Sequence, residues 1–145
     1  MPLDYAFLPD LNLVHVRFAG HVTIAETMEG FRRFAADPAL RPGVRQLVDF
    51  RQVRSYEKDP PAFMQMQARI LEHHADLDPA PDAPAHMHIV FLAPAPIHQQ
   101  MAALAKRSWE GLGMMSISVA GTPEEALAIL DLPERAAASL FAARD

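Results

Sequence analysis

The run from Val44 to Val53, Val-Arg-Gln-Leu-Val-Asp-Phe-Arg-Gln-Val, constrains the fold most: an apolar strand core ends in an acid and gives way to polar residues. Strand ends of this kind are where α/β folds build sites. The polar stretch Arg51 to Lys58 is expected to be a loop, and Asp59-Pro60-Pro61 then supplies a helix N-cap with a proline at the first helical position. Asp49 is thus the polar candidate at a strand end.

The remaining elements follow from periodicity and punctuation. Tyr5 to Leu8 and Leu13 to Phe18 read as a hairpin around Pro9-Asp10-Leu11-Asn12. In its second strand Val14, Val16 and Phe18 share the face expected to enter the core, with Leu13, His15 and Arg17 on the other. Gly20 is expected to release that strand, and Thr23-Ile24-Ala25-Glu26 reads as a capping box opening a first helix that Asp37-Pro38 stops. A second helix is expected from Pro60 to His74, and its methionines read as malleable core filling. The proline-rich Asp76 to Ala85 reads as an exposed loop, followed by a central strand from His86 to Ala93. A helix over Ile97 to Leu112 closes at Gly111 and Gly113, Ser116 to Ala120 forms a short strand, and Thr122-Pro123-Glu124-Glu125 opens the next helix. Pro133 starts a last, alanine-rich helix whose weak apolar face, Leu140 and Phe141, needs a tertiary or homodimer contact.

The resulting order is β-β-α-β-α-β-α-β-α plus a C-terminal helix, a single α/β domain over residues 1–145 with a mixed sheet and flanking helices in two or three layers. A formal net charge of -5 argues against a nucleic-acid partner, because phosphate binding needs a basic face. The cations from Arg41 to Lys58 are interleaved with acids and read as a solvated mixed surface. With Cys 0, disulfides and thiolate chemistry are excluded. No signal peptide and no apolar stretch of membrane-spanning length is visible, so a cytoplasmic protein is expected. Lys58 and Lys106 are the only lysines among 13 basic residues while alanine and proline abound, a bias expected of GC-rich codons and a bacterial source.

The element order from Leu11 to Leu130, Gly20-His21-Val22-Thr23, and Leu47-Val48-Asp49-Phe50-Arg51-Gln52-Val53 resemble the STAS, or anti-sigma-factor antagonist, fold. That fold is similar to the core of the CRAL-TRIO lipid-binding domain. The resemblance implies a divergent regulatory module that binds a protein partner. In the family an Asp-Ser-Ser-Gly segment at the start of the next helix carries the phosphorylated serine. Here the region reads Arg54-Ser55-Tyr56-Glu57-Lys58-Asp59-Pro60-Pro61, so the motif is absent and Ser55 is the nearest hydroxyl.

The leading expectation is therefore a non-enzymatic regulatory or protein-binding module, with Arg51, Arg54, Ser55, Tyr56 and Lys58 on its partner surface. An alternative is a carrier of a small apolar ligand or lipid, with Phe63, Met66, Phe91, Met101 and Trp109 lining a cavity between helices and sheet. A minor enzyme alternative places Asp49, Tyr56 and His88 in one polar site. His73, His74, Asp76, His86 and His88 are residue types that could ligate a metal, but no recognised spacing completes a coordination set, and no metal or cofactor is expected. Gly111-Leu112-Gly113 follows a helix, the reverse of a dinucleotide loop, and Asp76, Asp78 and Asp82 lack the glycine and terminal glutamate of a calcium loop. No serine lies in a nucleophile elbow.

Overall fold

The structure, a computed structural model, describes residues 3–39, 44–59, 61–66, 68–69, 87–109, 115–136 and 140. Five strands, β1 (Leu3–Leu8), β2 (Leu13–Val22), β3 (Arg45–Tyr56), β4 (Met87–Leu92) and β5 (Met115–Ala120), form one sheet in sequential order. β1 and β2 are an antiparallel hairpin, and β2 through β5 run parallel. The mixed α/β sheet with flanking helices is thus as the sequence predicts.

Helix α1 (Ile24–Ala35) joins β2 to β3, α2 (helical at 61–66 and 68–69) follows β3, and α3 (Pro96–Trp109) joins β4 to β5. Right-handed crossovers repeated in one direction along a sheet put their helices on one face. Accordingly α1 and α3 share an apolar layer that includes Phe34 and Ala102 with Val14, Val48, Ile89 and Phe91. After β5 the chain turns to the other face, where Ala126, Leu127 and Leu130 of α4 (Pro123–Ile129) and its C-cap cover Leu13, Leu47, Val90 and Leu92.

Two layers of helix make β2 and β3 central strands. Leu13 and His15, expected on the outer face of β2, are each only 1% exposed because α4 and the segment after it cover that face. Arg45 locks this layer, donating from its guanidinium to the carbonyls of Leu11 and Leu130.

Local chemistry explains most boundaries. Asn12 ends the hairpin turn with φ 49°, a left-handed conformation that asparagine tolerates. Thr122 accepts from the Glu125 amide and Asp59 from the Ala62 amide, the expected N-cap bonds of α4 and α2. At α1 the capping box is only half made. Thr23 accepts from the Glu26 amide at 3.2 Å, but the Glu26 carboxylate accepts the Thr23 hydroxyl, while the Ile24 amide donates to Glu57 at 2.8 Å.

Two boundaries differ from expectation. Gly20 does not end β2; at φ 71° it sits in an irregular stretch where β2 slips register against β3, and the strand continues to Val22. The stretch from Arg51 to Tyr56, expected as loop, is strand. Its pairing is with Ala19 to Val22 of β2, beyond the Leu13 to Phe18 expected of that strand. α1 stops at Ala35 with Ala36 as its C-cap, directly ahead of Asp37-Pro38 as the sequence predicts. The expectations for Gly111 and Gly113, for the acidic proline-rich loop and for most of the C-terminal helix fall outside the described residues.

Candidate functional site

Between the sheet and helices α1, α2 and α3 lies a cavity of about 210 Å³. Its floor includes Val16, Val48, Phe50, Ile89 and Phe91, alternate residues of three parallel strands that point to one face. Phe31 and Phe34 of α1, Phe63 and Met66 of α2, and Met101 and Ala105 of α3 close it. Ring contacts stiffen the wall: Phe50 stacks on Phe91 at 5.2 Å between centroids, and Tyr5 meets Phe34 edge-on at 5.6 Å.

Four of the five residues that the sequence assigns to a cavity, Phe63, Met66, Phe91 and Met101, line this one. The side chain of Trp109 lies outside the described residues. Sequence reasoning missed Gln46, a carboxamide in the same wall, between Val14 and Ile89 in register. A polar residue amid the inward alternation of Val48 and Phe50 was the signal that could have found it.

The opposite face carries a buried polar cluster. Asp49 is 3% exposed, and Arg51 grips its carboxylate through Nε at 3.0 and 3.1 Å, Nη2 at 2.8 Å and its own amide at 2.9 Å. His15 stands 3.6 Å away on β2. Burial alone would raise the Asp49 pKa, but the His15 ring and the Arg51 guanidinium and amide outweigh it and hold the group at about 2. Asp49 is not a strand terminus of β3. It pairs with Leu92, the last residue of β4, so it marks where β3 loses its neighbour on that side. His98 of α3 covers the edge beyond: its Nε2 donates to the Val53 carbonyl at 2.9 Å while Nδ1 accepts from the Ala95 amide at 3.2 Å.

The expected partner surface is divided by this geometry. Tyr56 belongs to the cavity wall, with Lys58 Nζ 5.5 Å from its ring centroid. Ser55 bonds His21 Nδ1 at 2.7 Å, Arg54 is exposed, and Arg51 is committed to Asp49. The polar site of Asp49, Tyr56 and His88 is not assembled. Tyr56 packs with the cavity layer, whereas Asp49 contacts His15 in the other layer. His88 is four residues from Leu92, the partner of Asp49, or about 13 Å along the strand. Its Nε2 lies 3.5 Å from the Ser118 hydroxyl. The other histidines weighed as ligands, His73, His74 and His86, lie outside the described residues, and among those described no group of three metal-ligating side chains occurs.

No family model and no curated protein matches the chain. Among solved structures it is similar to an uncharacterized protein of the DUF3478 family with a SpoIIAA-like fold from Shewanella loihica PV-4. The TM-score is 0.53 at 13% identity, covering 88% of this chain and 91% of that one. The fold is therefore SpoIIAA-like, of the STAS type. Among the described residues no helix is long and apolar enough to cross a membrane.

Proposed function

We propose that the chain is a non-enzymatic binding module that holds a small apolar molecule between its sheet and helices α1 to α3. The observation that carries this reading is the cavity of about 210 Å³ with an almost wholly apolar wall. The pocket is partly open to solvent, and an apolar occupant would displace water from its apolar wall and supply dispersion contacts there. An engineered apolar cavity of ~150 Å³ stays dry and takes up benzene. About 210 Å³ gives room for a small apolar molecule or part of a longer one.

The regulatory reading is supported at one point. Tyr56 faces the cavity while Lys58 lies against its ring, and Arg54 is exposed two residues away. A partner that docks on this edge would contact a residue whose packing changes with occupancy.

Toluene is a suitable probe, because a ligand that binds only the native state raises its melting temperature. The expected result is a dose-dependent rise for the wild type that Ala105→Leu, which fills the cavity, abolishes. A melting temperature unmoved by both toluene and cyclohexane overturns the reading.

A further inference from the structure

We propose that the cavity selects a neutral molecule of about nine heavy atoms bearing one hydrogen-bonding group, of the class of a medium-chain alcohol, and rejects the matching carboxylate. This rests on the binding reading above and specifies its ligand.

The charges of the wall set the first term. Among the described residues no lysine, arginine or histidine lines the cavity, and Glu57 is the one carboxylate that does. An anion entering from water loses its hydration and approaches a like charge, while Lys58, against the Tyr56 ring, is exposed and is not part of the lining. A cation also loses its hydration on entry, and Glu57, whose Oε1 accepts from the Ile24 amide at 2.8 Å, is solvent-exposed, so its charge is screened and offsets little of that loss.

The polar groups set the second. Most already have protein partners: the Tyr5 hydroxyl donates to Asp37, the Thr23 hydroxyl to Glu26, and the Thr27 hydroxyl to the Thr23 carbonyl. Gln46 makes no side-chain hydrogen bond among the described residues, and its strand neighbours on this face are Val14, Val48 and Ile89. A carboxamide offers one acceptor and two N–H donors without charge, which a hydroxyl or a carbonyl satisfies and a hydrocarbon does not.

Size sets the third. Benzene, with six heavy atoms, occupies an apolar cavity of ~150 Å³. In proportion, about 210 Å³ takes roughly eight or nine heavy atoms. The lining runs along β3, from Gln46 through Val48 and Phe50 to Tyr56, and across the sheet to Val16 of β2 and Ile89 and Phe91 of β4.

Isothermal titration with 1-octanol, octanoate and octylammonium at pH 7.5 tests this on the full chain. Octanol is expected to bind at least tenfold more tightly than either ion, and Gln46→Leu to weaken octanol about fivefold. Thermal denaturation checks that the variant is folded, and the comparison of the three ligands on the wild type needs no variant. A preference for octanol of less than tenfold over octanoate or octylammonium overturns the proposal, as does an unchanged octanol affinity in folded Gln46→Leu. If toluene raises the melting temperature but octanol does not bind, this inference alone fails. If neither acts, the binding reading fails with it.

Discussion

Nε2 of His15 lies 3.6 Å from Oδ2 of Asp49, and Arg51 closes on the same carboxylate from β3, so that a buried acid is enclosed by two basic side chains. A buried charge is tolerated only when its partners are fixed, and breaking such a set typically costs about 3–5 kcal/mol. Arg51 keeps 30% of its side chain exposed, which recovers part of its hydration once the partner is gone. Asp49→Asn should therefore destabilise the fold by about 2–4 kcal/mol. Urea denaturation checks this, and a loss below ~1 kcal/mol would refute the account of the cluster.

The same carboxylate predicts an acid limb. Its pKa is lowered from 3.8 to about 2 on folding, so the native state binds fewer protons than the unfolded chain between those values. The associated stability is fully present above pH 3.8 and is lost as pH falls towards about 2. It amounts to roughly 2 kcal/mol, and the acid limb in Asp49→Asn should be flatter by that amount. Parallel acid limbs for the two proteins would contradict it.

Gly20 holds φ 71° in β2 with open space where a Cβ would stand. Any cost of substitution is therefore conformational rather than steric against neighbours. Gly20→Ala should lose about 1–2 kcal/mol, and Gly20→Asn less, since asparagine enters the left-handed region more readily. Equal losses for the two variants, measured by thermal or urea unfolding, would point to a cause other than φ.

What was legible in the sequence was local. Asp59 and Thr122 cap as their spacing predicts because an N-cap needs only the three or four residues after it. The alternation of Val14, Val16 and Phe18 marks an inward face because side chains alternate strictly along a strand. What failed depended on distant chain. The Asp49 site needs His15, 34 residues earlier, and their meeting is fixed only by the β2–β3 register. Leu13 and His15 look outward beside Arg17 until α4 is placed over them. Gly20 signals a break, but the residues around it do not say whether the strand ends there or bends and continues. The cavity follows from how far three helices stand off one sheet, and no single segment encodes that distance.

Gly30 shows the reverse of Gly20. A Cβ there would stand 1.8 Å from Cδ2 of Leu3 and 3.0 Å from its Cγ, so α1 approaches β1 closely only because the side chain is missing. Gly→Ala within a helix normally gains about 1 kcal/mol. Here Gly30→Ala should instead destabilise, by roughly 1–3 kcal/mol for an overpacked contact. Leu3→Ala removes the clashing atoms at its own cost, so the two substitutions should be strongly non-additive. A double-mutant cycle with no coupling energy would show that Leu3 relaxes freely.

Two residues far apart in sequence share the start of α1, and salt should separate them. Thr23 satisfies the Glu26 amide through a neutral hydroxyl, whereas Glu57 meets the Ile24 amide with a carboxylate at the positive end of the helix. Thr23→Ala and Glu57→Ala should each lose about 1 kcal/mol at low ionic strength. Glu57 is exposed, so its charge is screened once the Debye length falls to ~3 Å near 1 M salt. The loss in Glu57→Ala should therefore shrink by about half between 0.01 M and 1 M sodium chloride, while that in Thr23→Ala stays constant. Chemical denaturation in urea, which leaves ionic strength free to vary, reads the difference. If the two losses respond alike to salt, Glu57 acts on α1 through its hydrogen bond alone.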